Sequence, residues 1–538
     1  MTRHIFRLKS LYKICCLLVL LCFFLDKNLA AQPVMQPYEF FSHVRHEEYH
    51  IKSRNGMWGL SSKPLVRSVV DFNAYKDSLR YFSFFDTTDN LFERHLFRKN
   101  LIDISSSDYH LAINPLIVFQ GNFSEKNKVQ TNTRGFWLYG NIGKKFSFES
   151  QFMENQVFAP KYLTTYIKSS QVYPGNGRTK PFKDTGFDFA MSSGSIAWQP
   201  VSALVIQAGH GKQFIGNGYR SLLLSDNAFN YPFIKTSFQS KFFRYEMVTA
   251  SLMNIYGGRI VTNINSEPTF RKKTASFQYL TFKPNDNMEI GLFNGIIWRA
   301  SSPANPFFNF SILNPLPFFN ALAYGLDGTN NALAGLNLNY RIKKKYLLYG
   351  QVLLDEYKQK NTLSFSKNGW QAGLKIFRLF GLKGCVLNIE ENHVSAYTYT
   401  TANHQQNYVH YNQSLAHPAG ANFRERLLVL TYHYGNIFAQ CKFTGLLSGR
   451  DSTGYLSGSN VLFSDISSSR HSTEFLNGKK VRTTTALFEV GYVINPSFNL
   501  QFFLSHFVFT TNESGVRNSE TIFSIGLRTA LFNTYTDF

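Results

Sequence analysis

Three stretches of this 538-residue chain bring together residue types that can do chemistry. The first, His46 to His50, reads His-Glu-Glu-Tyr-His. On a helix its two imidazoles share one face and can hold a zinc ion, with a Glu beside them as base. No third ligand accompanies them and no protease-sized soluble domain surrounds them. The motif therefore reads as the polar face of a short amphipathic helix over Tyr38 to Ile51. The second stretch, Gly209 to Pro232, reads GHGKQFIGNGYRSLLLSDNAFNYP. Its glycines match neither the Walker nor the dinucleotide fingerprint, and no βαβ unit follows. They suit a tightly turned loop at a barrel mouth, where Arg220, Asp226, Asn227, Asn230 and Tyr231 present polar groups and glycine lets the backbone approach closely. The third stretch, Glu390 to Glu425, interleaves Tyr397, Tyr399, Tyr408 and Tyr411 with Asn392, Asn407, Asn412, His404, His410, His417 and Glu425. Carbohydrate recognition needs aromatic faces for sugar C–H surfaces beside amide, imidazole and carboxylate groups. A loop that is aromatic for packing alone has the same composition. The histidines form no compact ligand pattern, and nowhere do a nucleophile, base and orienting acid come together. No catalytic residue, metal or cofactor is expected, and the chain does not read as an enzyme.

The elements that carry these loops are strands. From about Asp108 to Phe538 the chain alternates amphipathic runs of roughly ten residues with, in turn, a tight turn and a long polar loop, which is the pattern of a transmembrane antiparallel β-barrel. A tilted strand of ~9 to 11 residues crosses the bilayer, and the sheet must close because lipid offers an unpaired edge no hydrogen bonds. Tight turns fall at Gly143 to Lys145, Pro200, Lys241, Pro284 to Asn287, Lys343 to Lys345, Phe380 and Gly381, Gly435 and Asn436, and Asn495 to Ser497. Eight hairpins give sixteen strands, and a first strand near His110 to Gln120 with a last from Ile522 to Leu531 makes eighteen. The period of two is plain where Ala334, Leu336, Leu338, Tyr340 and Ile342 oppose Asn337, Asn339 and Arg341, and where Phe523, Ile525, Leu527 and Leu531 oppose Ser524, Gly526 and Arg528. An even strand number with short turns on the periplasmic side puts the long loops outside, spanning about 157–185, 210–232, 253–273, 299–331, 392–425 and 447–480.

The amino-terminal residues fit export to such a location. Arg3, Arg7, Lys9 and Lys13 precede an apolar run from Ile14 to Leu25 and the small residues Ala30 and Ala31, so residues 1–31 read as a cleaved signal peptide. None of Cys15, Cys16 and Cys22 sits in a lipoprotein pattern. Only Cys385 and Cys441 remain after cleavage, in strands two apart, so no disulfide framework is expected. Residues 32–107 form a mixed segment, periplasmic or plug-like, before a barrel over 108–538. The 53 Phe and 29 Tyr at a mean hydropathy of only −0.19 suit aromatic girdles around a wet lumen. The formal charge is +22, and loss of five basic residues and Asp26 with the signal peptide leaves about +18. That charge suits an anionic partner such as acidic polysaccharide or lipopolysaccharide phosphate, and equally a generic set of basic loops.

The segments GKQFIGNGYRSLLLSDNAFNYPF (211–233), EENHVSAYTY (390–399) and NYVHYNQSLAHPAGANFRE (407–425) resemble the Wzi-like capsule assembly family of outer-membrane barrels. The likeness is greatest to its branch from gliding bacteria, which includes the gliding motility protein RemB, and Ser61 to Leu65, SSKPL, also fits that branch. The resemblance implies an eighteen-stranded barrel that binds surface polysaccharide and helps hold capsule on the cell. Carried over residue by residue, it implies ligand contacts at Arg220, Ser225, Asp226 and Asn227 in one loop, and at Asn392, Tyr399, Tyr408, Asn412, His417 and Glu425 in the other. Surface polysaccharide, outer-membrane lipid, lipopolysaccharide and the barrel assembly machinery are the expected partners, the last because the chain closes on the aromatic Phe538; nucleic acid is not. Two other roles fit a barrel of this size: a passive porin, and an accessory of gliding or adhesin display.

Overall fold

The computed structural model describes residues 35–36, 38–52, 58–66, 91–123, 129–260, 268–298, 314, 330–356, 367–465 and 475–538. Eighteen antiparallel strands close into one barrel: β1 Tyr109–Phe123, β2 Val129–Ile142, β3 Phe146–Phe158, β4 Gly186–Val201, β5 Leu204–Gly211, β6 Tyr231–Gln239, β7 Phe243–Asn254, β8 Arg271–Asn285, β9 Met288–Trp298, β10 Asn331–Ile342, β11 Tyr346–Glu356, β12 Lys367–Phe377, β13 Cys385–Val394, β14 Phe423–Tyr434, β15 Ile437–Arg450, β16 Lys479–Asn495, β17 Leu500–Glu513 and β18 Val516–Thr529. Each pairs with its sequence neighbours, and β18 closes on β1 through Phe523↔Phe123 to Arg528↔Val118. The tight turns join each even-numbered strand to the next, as read from the sequence, except that Pro200 lies within β4 and that turn is made by Ser202 and Ala203. No helix among the described residues is long and apolar enough to cross a membrane; the strands do so. Residues 1–31, read as a signal peptide, and nearly all of the 299–331 loop lie outside the described residues.

The outer surface is apolar where lipid lies against it. Tyr340, Phe443, Phe488, Leu504, Phe523 and Ile525 are exposed, while Asn337, Asn339, Arg341 and Ser524 turn inward and are buried. This is the pleat of a strand with one face in hydrocarbon. Cys385 and Cys441, on β13 and β15, are free thiols. The last strand corrects one expectation: it begins earlier than Ile522 and ends at Thr529. Leu531 is 8% exposed, packed with Leu116, Trp137, Phe498 and Leu500 instead of facing lipid. The residues after it leave the sheet and enter the lumen.

A wet lumen is the second expectation the structure overturns. On the inward faces of β11, β13 and β14 a polar layer lies between two apolar ones. Leu353, Val394 and Phe423 stand toward the long-loop end, Gln351, Glu390, Asn392 and Glu425 in the middle, and Leu347, Val386, Leu427 and Val429 toward the tight turns. Apolar inward positions make sense only if protein covers them, and it does. Helix α1, Phe40–His50, packs Phe40 and Val44 against the lower layer with Leu60, Leu65, Tyr219 and Tyr535. The Glu39 carboxylate caps its first turn, accepting from the Phe41 and Ser42 N–H at 2.8 Å. At its other end the Arg341 guanidinium donates to the Ile51 carbonyl at 2.8 Å, a cation where the helix dipole is negative.

Candidate functional site

The 212–230 loop lies inside the barrel, fastened by the inward amides and carboxylates of the wall. The Glu390 carboxylate accepts from the backbone N–H of Tyr219 (2.8 Å) and Arg220 (3.2 Å), from the Tyr349 hydroxyl (2.8 Å) and from Asn392 Nδ2 (2.9 Å). Gln351 accepts from the Leu222 N–H at 2.8 Å and donates to the Ile215 carbonyl at 3.0 Å, while Gln371 donates to the Arg220 carbonyl at 3.0 Å. The glycine-rich run has a steric cause here. A β-carbon at Gly218 would collide with the Glu390 carboxylate, and Gly216 sits at φ +144 against the Gln351 amide. Close backbone approach is what these glycines provide, to the barrel wall.

The 395–422 segment covers this loop. Tyr399 and Tyr408, both 0% exposed, stack on one another and donate their hydroxyls to the Leu222 and Leu223 carbonyls, each at 2.8 Å. Leu222, Leu223 and Leu224 thereby become the centre of the upper apolar cluster, with Ile215, Phe277, Leu353, Val394 and Phe423. Tyr397 and Tyr399 hold positive φ, 62 and 73, a conformation that a bulky residue keeps only where its surroundings impose it. Asn227 Nδ2 donates to the Ser414 carbonyl at 3.1 Å, the Ser225 N–H to the Leu415 carbonyl at 2.7 Å, and Asn412 Nδ2 to the Ser170 carbonyl at 3.1 Å on helix α3, Lys161–Ser170. Helix α2, Leu91–Phe97, lies elsewhere, its carbonyls at His95 and Leu96 receiving the Asn495 amide.

Arg220 is the hub between loop, wall and tail. Its guanidinium reaches Glu425 at 3.0 Å and Asp537 at 2.9 Å; all three side chains are about 1% exposed or less. Glu425 also accepts from Asn392 Nδ2 at 3.0 Å and from His417 Nε2 at 2.7 Å. His417 Nδ1 receives the Ala419 N–H at 3.1 Å, so the ring is the neutral Nε2–H tautomer, and burial holds it below the usual histidine range. His410 is built alike: Nδ1 accepts from the Met253 N–H at 2.9 Å, Nε2 lies 3.1 Å from the Asn230 carbonyl, and burial pushes its pKa down to about 3. Asp537 also meets Lys442 at 2.7 Å, and Asp226 accepts from Tyr535 Oη and Asn533 Nδ2 at 2.8 Å each. The tail thus rises through the lumen, and the Phe538 ring ends 5.2 Å from that of Tyr166 on α3. The aromatic ending read as an assembly feature of the last strand lies inside the barrel.

The ten residues carried over from the family resemblance are therefore brought together, and nine of them, all but Asn412, are buried against protein partners. Their side chains bind two loops, the wall and the tail into one body. The His46–His50 motif is committed in the same way. Glu47 pairs with Lys375 at 2.5 Å and with His43 at 3.5 Å, and the His46 and His50 rings stack at 4.8 Å. Among the described residues no three His, Cys, Asp or Glu gather as a metal site. A cavity of about 500 Å³ remains between this plug and the wall of β1–β6 and β15–β18, lined among others by Gln151, Gln207, His210, Lys212, Glu489 and Arg528.

The surface open to the outside is made by residues that no single motif revealed. Tyr256, 38% exposed, meets the His404 and Phe463 rings at 5.8 Å each, and the exposed Arg178 and Arg259 stand 5.0 and 5.4 Å from the Phe270 ring. These come from four different loops, so only the fold puts them side by side.

The comparisons agree with this architecture. A family model described as capsule assembly protein Wzi matches residues 119–437, more than half of the chain. A solved structure from Escherichia coli, titled as Wzi, an outer membrane protein involved in group 1 capsule assembly and a carbohydrate-binding β-barrel, aligns over 93% of this chain and 100% of its own, with a TM-score of 0.53 and 12% identity. OccAB2 of Acinetobacter baumannii covers 78% of this chain and 98% of its own (TM-score 0.43, 11% identity), and OprD of Pseudomonas aeruginosa 80% and 96% (0.40, 10%). A comparison with curated proteins finds no match. On the family match, and with a closed eighteen-stranded barrel beneath it, this chain belongs to the Wzi capsule assembly family of outer-membrane barrels.

Proposed function

We propose that this chain is a non-enzymatic outer-membrane barrel that binds or organises capsular polysaccharide at the cell surface and helps attach it there. The observation that carries the reading is the Arg220 hub, with Glu425 and Asp537, in a lumen filled by loops of the barrel itself. A conduit has no use for apolar layers facing its lumen, whereas a rigid platform does, because they fix the backbone of the loops that face outward. On this reading Arg220, Ser225, Asp226, Asn227, Asn392, Tyr399, Tyr408, Asn412, His417 and Glu425 are positioning residues. Tyr256, His404 and Phe463 offer ring faces to sugar, and Arg178 and Arg259 offer donors. Delivery to the membrane by the barrel assembly machinery belongs to the same proposal.

A finer placement, in the gliding branch, is favoured by Ser61–Leu65. Ser62–Lys63 pairs with Phe214–Ile215 in the lumen, and Lys63 Nζ donates to the Gly216 carbonyl at 2.5 Å, so this segment and the glycine-rich loop form one unit. Purified surface polysaccharide binding to the detergent-solubilised barrel tests the main reading. Y256A/R259A is expected to bind several-fold more weakly, by ~1 kcal/mol or more, with the barrel intact. Equal binding by the variant would remove this surface from the proposal.

A further inference from the structure

Above the apolar belt, the outward face of β14–β18 carries a row of cations. Cross-strand register runs Arg424↔Leu447↔Arg482↔Asn512↔Arg517, consecutive partners on five neighbouring strands. Arg426 and Lys480 stand outward two residues to either side of this row, and all five cationic side chains are exposed. At strand spacing the row covers roughly 19 Å. Below it, past an outward row of Arg426, Gly445, Thr484, Thr510 and Ser519, the outward positions become Leu428, Phe443, Ala486, Val508 and Thr521, the top of the lipid-facing belt. Beside it Trp370, 38% exposed, stacks on His393 at 5.7 Å, and His393 meets Phe475 at 4.0 Å, an aromatic group of the kind that marks a bilayer interface. Because the row crosses tilted strands at right angles, it climbs by roughly 12 Å from Arg424 to Arg517, from the top of the belt through the headgroup layer on the side of the long loops.

Its charge is unbalanced. Glu391 takes both Arg424 and Arg426, the latter at 3.3 Å, while Arg482, Arg517 and Lys480 have no carboxylate partner among the described residues. The neighbouring wall beyond β1 differs: on β2–β4 the outward charges are Arg134, Glu154 and Asp188, with Arg134 in register with Glu154. Basic loops in general would not concentrate cations on one sector. Guanidiniums presented sideways, above hydrocarbon and beside an indole, match a ligand whose acyl chains lie along the belt and whose phosphates sit above it.

We infer that the outward face of β14–β18 is a binding site for a phosphorylated, acylated glycolipid of the outer leaflet, of the lipopolysaccharide type, held by Arg424, Arg482 and Arg517 with Arg426 and Lys480 beside them. The site is separate from the loop surface proposed to meet polysaccharide. The test uses the full chain in detergent micelles, titrated with purified lipopolysaccharide and with the same material dephosphorylated, with bound lipid counted by native mass spectrometry. The wild type is expected to retain the phosphorylated lipid, R424Q/R482Q/R517Q to bind it about a hundredfold more weakly, and dephosphorylation to cost the wild type a similar factor. Equal retention by the triple variant, or by the wild type without phosphate, would overturn the site. Displacement of the lipid by an acidic polysaccharide lacking acyl chains would overturn the lipid assignment in favour of a glycan one. If the triple variant does not give the compact heat-resistant form of a folded barrel, the single R482Q and R517Q variants, whose guanidiniums pair with no carboxylate among the described residues, carry the same test.

Discussion

Arg220, on the loop between β5 and β6, and Glu425, near the start of β14, form a buried ion pair at 3.0 Å across 205 residues of sequence. Because the same guanidinium also takes Asp537 at 2.9 Å, one side chain joins a loop, the wall and the tail. Removal of Arg220 takes the guanidinium from two buried carboxylates, leaving Glu425 with Asn392 and His417 and Asp537 with Lys442, and breaking a buried pair on one side costs about 3 to 5 kcal/mol. R220A is therefore expected to leave the barrel assembled and its lumen contents loosened, read as faster protease cleavage within 212–230 and 395–422 at unchanged heat-modified mobility. R220K keeps the charge and loses the fork, and is expected to fall between.

Tyr399 and Tyr408 separate packing from hydrogen bonding. Y399F and Y408F keep the stacked rings and leave the Leu222 and Leu223 carbonyls without donors, at a cost of ~1 to 3 kcal/mol each. Combined, they should raise amide hydrogen exchange at Leu222 to Ser225 more than elsewhere in the loop. The triple replacement Y399A/Y408A/H417A should in addition weaken glycan binding without reducing barrel assembly, through disorder of the platform. Unchanged exchange and binding would remove the positioning role.

Acid should loosen the same body. His410 and His417 are neutral in the folded chain, each using Nδ1 as an acceptor, whereas an unfolded histidine titrates near 6.5. Stability from these rings is complete above that value and declines as pH falls through it, by at most ~1.4 kcal/mol per pH unit for each, and for His410 down to its folded value of about 3. Hydrogen exchange of 395–422 is expected to be faster at pH 5 than at pH 7.5, and a smaller pH effect is expected for H410Q. Identical protection at both pH values would contradict the assignment of neutral rings.

Ion conductance separates a filled barrel from a porin. In planar bilayers the wild type should show little steady conductance for an eighteen-stranded barrel, and R220A brief openings. A steady open level in the wild type would favour the porin reading.

The barrel was legible because lipid imposes a period of two that survives on strands such as β10, and because turns such as Gly143–Lys145 and Lys343–Lys345 have their own chemistry. Leu427, Leu428, Val429 and Leu430 show what hid the plug. Both faces of β14 are apolar there, one for lipid and one for Tyr219, Phe40 and Tyr535, so the run carries no alternation to read. The candidate loops were found by their unusual residues, but those residues are unusual because they are interior. Buried Arg, Asn and Glu with protein partners resemble a binding set until burial is known. Gln351, Gln371 and Lys442 went unnoticed since a polar residue at an inward position looks like any wet lumen, and Asp537 since it lies beyond the last strand. Tyr256 with Arg259, Phe463 and Arg178 come from three separate loops, and no local pattern joins them.

The most direct measurement is the partition of surface polysaccharide between cells and medium after deletion of the gene, with restoration by the wild type and by Y256A/R259A, and spreading motility scored in the same cultures. Transfer of glycan from the cell-bound to the shed fraction at constant total, reversed by the wild type and not by the variant, is the result that capsule attachment predicts. An unchanged partition would contradict it, with lost spreading then pointing to the gliding role.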